Sequence, residues 1–543
     1  MLHLQPLIIA APSLMLLYAI IFISGAAILA LELLASRIMT PYFGVSLYIW
    51  TGILSITLVS LALGYRLGGR LAARRAAPRA GLLHLYALMP AVSAIAIAVA
   101  CLVYPHAFAP LASWSLIGGA FAACLVLLFV PLVAASAMNP LLVAILLDGR
   151  AADAGAGKVF FVSTIGSVAG VIVTGYGLIP YVSNFAAVLI VALVLGFLTL
   201  AAATLTREAI PGKPVLVAAA LAACALPAGL LWHADAYTGR AGPFSYAGAE
   251  WRVEASQRSL FGTVKVLRSA PDPETGGFRR MYFQDGLTQN TADSNNRSTS
   301  FYTYGLEGIA RAYRPGMRSA LVLGLGAGMV PMALAKAGVT TEVVDIDPAA
   351  PRVARAFFGF DAALVRTHEA DARTFVRGCR GRYDVVVVDL FHGDGTPDYL
   401  ITREFFRDLR ACLAEGGIAV FNTFADVTRP QAYAHFLVTL RAELPHLALY
   451  RPGTQGQHVN SFVVAAPQPL PTPRKVTFDY VPPRHEETLW TMLSAPLPLT
   501  PEIFHGGRAI TDAANPAAHD FAQMQMVYRR SVVKDAPGAM LVN

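Results

Sequence analysis

The sequence predicts two parts of different fold class: a multi-pass α-helical membrane domain, followed by an α/β Rossmann-like domain that begins with a β-hairpin. Three observations indicate this division. Only 14% of the 543 residues are charged, against roughly 25% in soluble globular proteins. Long apolar runs fill the chain up to about Trp232. From Arg240 onward, charges, prolines and short hydrophobic segments alternate as in a water-soluble fold.

The chain is expected to contain four regions. They are a membrane domain of about six to eight helices (1–235), a β-hairpin region (240–315), a Rossmann-like nucleoside-binding domain (316–466) and a proline-rich tail that packs on the catalytic domain (467–543). Runs of about 20 apolar residues are candidate membrane spans, and they cover 11–34, 46–65, 82–104, 113–136, 159–180, 184–205 and 214–232. The apolar run 141–147, which follows Asn139-Pro140, is open to interpretation as a half-helix or a re-entrant turn.

Much of the net charge of +8 comes from one short segment between apolar spans. Five arginines lie there without an acidic neighbour: Arg66, Arg70, Arg74, Arg75 and Arg79. Such clustering is typical of a cytoplasmic loop. No basic stripe with interleaved aromatic residues occurs elsewhere in the sequence, so no nucleic-acid partner is expected. The five cysteines are scattered without metal-binding spacing, which argues against a disulfide scaffold and predicts no metal site.

Two features of the apolar half leave alternatives open. The segment 63–72 resembles the loop that follows the second helix of major-facilitator transporters, although glycines and arginines at a helix end also serve plain helix packing. Glu32 lies in apolar sequence five residues before Arg37. An intramembrane carboxylate marks either a functional site or a structural ion pair.

A glycine-rich turn in the polar half lies between a predicted strand and a predicted helix. Residues 319–323 form an apolar run typical of a buried parallel strand, and the sequence Gly-Leu-Gly-Ala-Gly follows at 324–328. Such a turn presents backbone N–H groups and a helix N-terminus to a ligand. The next predicted strand ends at Asp345, about 20 residues past the first glycine, where a carboxylate can accept both ribose hydroxyls.

Further predicted strands bring polar residues to the same edge of the sheet. Asp371 and Ala372 follow a short strand, and Asp389 ends the predicted strand 383–389. The carboxyl edge of an open α/β sheet is where ligands bind. Upstream, 260–266 and 280–283 alternate with period two and predict a β-hairpin.

The order of these motifs resembles spermidine synthase over roughly residues 255–425. It resembles more closely the membrane-fused spermidine-synthase-like proteins of bacteria, and this closer likeness rests on Glu32 to Arg37, the Leu-Gly-Gly-Arg segment, 400–405, and Ile510-Thr511-Asp512 with Pro516. The resemblance implies a Rossmann-like domain of the class I methyltransferase type. It also implies a polyamine aminopropyltransferase that uses decarboxylated S-adenosylmethionine as co-substrate, without a metal.

The resemblance assigns a role to each matching residue. Gly324, Gly326 and Gly328 would hold the methionine-derived part of the co-substrate, Asp345 the ribose, and Asp371 with Ala372 the adenine. Asp389 would be the catalytic base that takes a proton from the attacking amine. The candidate substrate-binding residues are Asp285, Gln289, Tyr302, Tyr304, His392 and Asp394.

Two departures from the family pattern widen the range of substrates. Ala327 stands where the family has an aspartate that selects the decarboxylated co-substrate, so intact S-adenosylmethionine and aminocarboxypropyl transfer become plausible. His392 replaces the second aspartate of the Asp-Ser-Ser-Asp motif, which weakens an acceptor site for a polycation. The alternatives are a methyltransferase on the same fold, and a transporter or sensor with a regulatory nucleoside- or polyamine-binding domain.

Location and partners follow from these expectations. The chain is expected in the bacterial inner membrane, with the lipid bilayer and a small amine acceptor as partners, and as a homodimer because soluble family members pair. The arginine segment places the N-terminus in the cytoplasm, so seven crossings would export the C-terminal domain. Because S-adenosylmethionine is cytosolic, an even number of crossings and a cytoplasmic catalytic domain are expected. Either 214–232 would not cross, or 113–147 would cross twice.

Overall fold

The computed structural model describes residues 11–543 except 46, 74–78, 148–153, 206–211, 391–395, 427–429, 454–457 and 479. The chain divides into two compact units. The helical unit comprises Met1–Gly242 together with Val533–Asn543, and the α/β unit comprises Pro243–Val532.

The helical unit is built from long apolar helices. They are α1 (Ala11–Phe43), α2 (Leu47–Ala72), α3 (Arg79–Trp114), α4 (Leu116–Cys124), α5 (Val130–Leu147), α6 (Ala154–Ile172), α7 (Asn184–Leu205), α8 (Lys213–Trp232) and the short α9 (Ala234–Tyr237). A π-helical turn, Leu125–Phe129, joins α4 to α5, and a second one, Val173–Leu178, extends α6. The helices account for the apolar composition of the first half of the chain.

Seven helices among the described residues are long and apolar enough to cross a bilayer, which is compatible with a multi-pass membrane protein. The expected route to an even number is not found. Lys213–Trp232 is a continuous helix of 20 residues, and Leu116–Leu146 forms one span of 31 residues rather than two. Because α5 continues through Pro140, the 141–147 run is part of a full helix and not a half-helix or a re-entrant turn.

Glycines set the close packing of these helices. A Cβ on Gly166 or Gly170 of α6 would overlap the backbone of α1, and the Ser167 hydroxyl donates to Gly25 O at 2.9 Å. In the same way a Cβ on Gly68 of α2 would overlap the backbone of α5. The 63–72 segment therefore lies inside α2, where its glycine packs against another helix, and not in a loop. Arg74 and Arg75 lie outside the described residues.

The α/β unit begins with an antiparallel sheet rather than a lone hairpin. Its strands, in spatial order, are β1 (Phe244–Tyr246), β2 (Ala249–Ser259), β3 (Gly262–Ser269), β4 (Arg279–Gln284) and β5 (Leu287–Asp293). The predicted hairpin corresponds to β3 and β4. Asp285 and Gly286 form the tight turn to β5 with φ values of 45° and 93°, as expected of Asp-Gly in a two-residue hairpin loop.

A seven-stranded sheet forms the rest of the unit. Its elements, together with the preceding α10 (Phe301–Tyr313), are β6 (Ser319–Leu323), α11 (Met329–Lys336), β7 (Thr340–Asp345), α12 (Ala349–Phe357), β8 (Val365–Glu369), α13 (Ala372–Arg377), β9 (Tyr383–Val388), α14 (Arg403–Cys412), β10 (Leu413–Asp426), α15 (Pro430–Glu443), β11 (His446–Tyr450) and β12 (His458–Ala466). The strand order is β11-β12-β10-β9-β6-β7-β8. The five strands from β10 to β8 are parallel, and β12 is antiparallel to both its neighbours.

The central strands are buried on both faces, as is typical of parallel sheets covered by helices. Ala320, Val322, Val385 and Val387 face one hydrophobic core, whereas Leu321, Leu323, Val386 and Val388 face the other. Chain order reverses between β6 and β9, because β7 follows β6 on one side and β9 pairs with it on the other. This reversal point is where open α/β sheets bind ligands.

The tail after β12 contributes α16 (Pro483–Ser494), α17 (Ala518–Val533) and α18 (Gly538–Leu541). Residues up to Val532 belong to the α/β unit, and α18 belongs to the helical unit. In the helical unit, Phe185 N donates to the carbonyl oxygen of Asn543 at 2.9 Å. Cys379 and Cys412 form a disulfide with their Cα atoms 4.9 Å apart, a pairing that the cysteine spacing did not predict.

Candidate functional site

A cavity of about 760 Å³ lies at the carboxyl edge of the parallel strands. The ends of β6, β7, β8, β9 and β10 line it, together with the β4–β5 hairpin and the first turn of α10. The cavity therefore occupies the point of strand-order reversal, where a ligand is expected on topological grounds.

The glycine turn after β6 is required by close backbone packing. Gly324 has φ of 95°, and a Cβ there would overlap the carbonyl oxygen of Asp389. Gly326, with φ of 51°, has open space where a Cβ would project and lines the cavity. Gly328 caps α11 with φ of 78° and packs against Phe360, and it is not among the residues that line the cavity.

Asp345 stands at the end of β7 beside this turn. Its two carboxylate oxygens accept hydrogen bonds from the backbone N–H groups of Leu325 and Asp347, each at 2.8 Å. Burial raises the pKa of Asp345 to about 6 despite these bonds. The Gly326 N–H also stabilises the ionised carboxylate. Because a carboxylate offers about four lone-pair sites, the group can still accept a hydroxyl from a ligand in the cavity.

Asp371 and Ala372 lie at the β8–α13 junction, at the same edge. One carboxylate oxygen of Asp371 caps α13 by accepting from Thr374 N at 2.8 Å. The other accepts from the Tyr399 hydroxyl at 3.0 Å. Tyr399 also lines the cavity and forms a wall that the sequence did not reveal.

Asp389 follows β9 and lines the cavity. β9 lies on one side of β6, and β7, which ends in Asp345, lies on the other side. The backbone N–H of Asp389 donates to Leu323 O at 2.9 Å, which fixes it beside β6. Asn422 of β10 donates to the Asp389 carboxylate at 2.8 Å, and the Asn422 oxygen accepts from the Asn460 amide of β12 at 3.0 Å. Burial raises the pKa of Asp389 to about 6, and the bond from Asn422 opposes that rise. The carboxylate is thus poised to exchange a proton near neutral pH.

The hairpin side of the cavity holds only some of the predicted substrate-binding residues. Gln289 and Tyr302 line the cavity, and the Tyr302 hydroxyl accepts from the Asn290 amide at 3.3 Å. Asp285 does not line it, because its carboxylate accepts from Thr263 N at 3.0 Å and holds the β3–β4–β5 turn.

The other predicted substrate-binding residues lie elsewhere. Tyr304 is buried outside the cavity, where its hydroxyl donates to Ser298 O at 2.6 Å. His392 and Asp394 lie outside the described residues.

The lining residues that were not predicted as site residues include Tyr399, Asn422, Asn460 and Tyr528. Asn422 follows the apolar run 418–421 in the sequence, and that position was the signal for it. Asn460 lies on an antiparallel strand, and Tyr528 lies on α17 in the tail. Neither position is marked by a local motif, so they emerge only from the tertiary fold.

Comparison with known proteins agrees with the fold and the motifs. Residues 299–440 match the family model of the spermine/spermidine synthase domain. Polyamine aminopropyltransferase of Vibrio vulnificus is 34% identical over 136 residues, which cover 24% of this chain and 44% of that protein. The N-terminal histidine N-methyltransferase of Emericella nidulans is 34% identical over 138 residues, which cover 24% of each chain.

Among solved structures, a probable spermidine synthase from Corynebacterium glutamicum is 18% identical and covers 49% of this chain and 93% of that chain, at a TM-score of 0.36. The chain spans less than half the length of the two curated relatives. The part of the chain that contains the glycine turn, Asp345 and Asp389 is spermidine synthase-like.

Proposed function

We propose that this protein transfers the aminopropyl arm of decarboxylated S-adenosylmethionine to an amine and releases methylthioadenosine. The observation that carries the proposal is the placement of Asp389, a carboxylate with a pKa of about 6, beside the glycine turn in the cavity. A general base is most effective when its pKa lies near the working pH. Asn422 holds the carboxylate in place with a hydrogen bond of 2.8 Å.

In the proposed reaction, Asp389 binds the acceptor amine and takes one of its protons. The nitrogen lone pair then forms the new C–N bond while the C–S bond of the sulfonium breaks, and the electron pair stays on sulfur. Because a protonated amine has no lone pair, transfer needs a base at this point. Tyr302, Asn422 and Asn460 border the same end of the cavity and supply uncharged polar groups for the acceptor.

The co-substrate would occupy the other end of the cavity. Asp345 would accept the ribose hydroxyls, and Asp371 with Ala372 would contact the adenine. Gly326 leaves open space for the methionine-derived arm. Ala327 is buried among hydrophobic residues next to the antiparallel sheet, so position 327 supplies no carboxylate that would repel intact S-adenosylmethionine. We therefore propose aminocarboxypropyl transfer from the intact co-substrate as a second activity to be tested.

Methyl transfer is the competing function, and the likeness to a curated methyltransferase favours testing it. The experiment is to incubate the purified full-length protein with each co-substrate and a set of amines, and to identify the nucleoside released. Methylthioadenosine is expected. Release of S-adenosylhomocysteine would replace the proposal with methyl transfer, and no nucleoside release would favour a regulatory binding domain.

We propose a multi-pass location in the bacterial inner membrane, with the α/β unit in the cytoplasm, where the co-substrate is made, and with the protein acting as a homodimer. The seven candidate spans support the membrane location. With seven crossings, the segment between α2 and α3 would lie on the face opposite to the α/β unit. With seven crossings, the positive-inside rule would put the arginine segment in the cytoplasm and the α/β unit outside it, whereas the supply of co-substrate favours the α/β unit in the cytoplasm.

A further inference from the structure

The tail motif Ile510–Asp512 plays no part in the reaction proposed above, yet it is fixed on the start of α14. Ile510 is completely buried, and its carbonyl oxygen accepts from Arg403 N at 2.9 Å. The backbone N–H of Asp512 donates to the Glu404 carboxylate at 3.0 Å. The motif therefore attaches the tail to the Rossmann-like core through backbone hydrogen bonds.

Asp512 reaches into that core through an ion pair with Arg373 of α13. Arg373 is only 8% exposed, and its guanidinium donates to the Asp512 carboxylate. The hydrogen bond with Asp512 is the main cause of the raised pKa of Arg373, and it lowers the pKa of Asp512. A second guanidinium nitrogen of Arg373 donates to the carbonyl oxygen of Tyr399 at 3.0 Å. Arg373 thus links the tail to a residue that lines the cavity.

Tyr399 is held at both ends. Arg373 donates to the backbone carbonyl oxygen of Tyr399, and the Tyr399 hydroxyl donates to the Asp371 carboxylate at 3.0 Å. The side chain is nonetheless 43% exposed at the cavity. An aromatic face presented in this way is a stacking surface for a nucleobase.

We propose that Asp512 is a positioning residue for nucleoside binding. Through Arg373 it holds Tyr399 against Asp371, so that the ring forms the wall on which the base of the nucleoside rests. The inference rests on the proposed function, because it takes methylthioadenosine as the ligand. It concerns affinity and not the transfer step, since Asp389 follows β9 and Asn422 lies on β10, whereas Arg373 lies on α13.

The test is calorimetric titration of methylthioadenosine into the full-length protein. Asp512→Ala should weaken binding about tenfold, the size expected when a hydrogen bond to a charged group is lost. Asp512→Glu should restore most of the affinity, because it restores the charge. Glu502→Gln, an exposed carboxylate in the same tail, should leave the affinity unchanged. In steady-state assays Asp512→Ala should raise KM for the co-substrate and change kcat little.

A double-mutant cycle separates positioning from a general loss of stability. If Asp512 acts through Tyr399, Asp512→Ala should weaken binding less in a Tyr399→Ala background, which lacks the ring, than in the wild type. Asp512→Asn keeps the shape of the side chain and serves if the alanine variant unfolds. Unchanged affinity in a folded Asp512 variant, or fully additive losses in the cycle, would overturn the inference. If the wild-type protein binds no methylthioadenosine, the result would instead overturn the proposed function on which this inference rests.

Discussion

Asn422 donates a hydrogen bond of 2.8 Å to the carboxylate of Asp389; Asp389 follows β9, and Asn422 lies on the neighbouring parallel strand β10. Two opposing effects meet at this carboxylate. Burial disfavours the ionised form and raises the pKa to about 6, whereas the Asn422 amide stabilises the ionised form. The balance leaves Asp389 ionised at neutral pH but only moderately stable in that state, which suits a group that must accept a proton.

Asp389→Asn should reduce turnover by about 10²–10⁴-fold, because it keeps the shape of the side chain and removes the base. The affinity for methylthioadenosine should change little, since Asp345 and the glycine turn remain. Methylthioadenosine release measured beside nucleoside titration checks both parts. Undiminished release from the folded variant would remove Asp389 from the catalytic role.

Asn422→Ala should move the acidic limb of the activity profile to higher pH. The wild-type limb is expected near pH 6, where Asp389 becomes protonated. The substitution removes the hydrogen bond from the Asn422 amide, which is the one effect that lowers the pKa of Asp389. Loss of a charge-assisted hydrogen bond corresponds to a shift of about one pH unit. A pH–rate profile of both proteins measures the shift. Asn460→Ala, which only removes a contact to Asn422, is the control and should shift the acidic limb less. If the acidic limb does not move in Asn422→Ala, Asp389 is not the titrating base.

Asp389 should also make stability depend on pH. Its folded pKa is raised to about 6 from an ordinary value of 3.8, so its contribution to stability is present below about pH 4 and is lost as the pH rises through 6. Asp389→Asn does not titrate there. The variant should therefore gain stability relative to the wild type between pH 4 and pH 7, by up to about 3 kcal/mol. Chemical unfolding of both proteins in detergent at the two pH values measures this, and a constant difference would contradict the buried-carboxylate assignment.

Asp345→Ala should weaken methylthioadenosine binding at least about tenfold, because a carboxylate that accepts both ribose hydroxyls contributes charge-assisted bonds. Isothermal calorimetry on the purified protein measures the loss. Asp361→Asn, which replaces an exposed carboxylate near the end of α12, is the matched control and should bind normally. Equal affinities for the wild type and the Asp345 variant would place the ribose elsewhere.

The seven candidate spans predict opposite accessibility for two surface positions, Ala73 after α2 and Glu274 between β3 and β4. With the α/β unit in the cytoplasm, a membrane-impermeant maleimide added to intact cells should label Ala73→Cys and spare Glu274→Cys. The parent protein without added cysteines is the control. Protection of both positions would mean an even number of crossings, and labelling of Glu274→Cys would place the α/β unit outside the cytoplasm.

The sequence revealed the parts of the site that depend on strand order. Gly324, Asp345 and Asp389 each follow an apolar run, and runs of that kind end at one edge of a parallel sheet. Asp389 could therefore be placed near the glycine turn before the fold was known. The seven apolar helices are likewise set by composition and length, although α2 runs to Ala72 where the hydropathy suggested an end near 65.

The remaining wall of the site depends on contacts that no local pattern records. Tyr399 lies in a short 3₁₀ turn and is positioned by a tail residue far along the chain. Asp285 shows the opposite case, since its motif suggested a ligand contact. Its left-handed backbone conformation and its bond to Thr263 N turn the carboxylate toward the hairpin instead.

The reversal of strand order between β6 and β9 also has an evolutionary consequence. The proposed nucleoside half of the cavity is built by the ends of β6, β7 and β8, whereas the proposed acceptor half is built by β9, β10 and β12. Substitutions at Asn422 or Asn460 can therefore alter the choice of acceptor without disturbing Asp345 or the glycine turn. A lineage that keeps the ends of β6, β7 and β8 and also Asp389 can diversify its products by changing residues on β10 and β12.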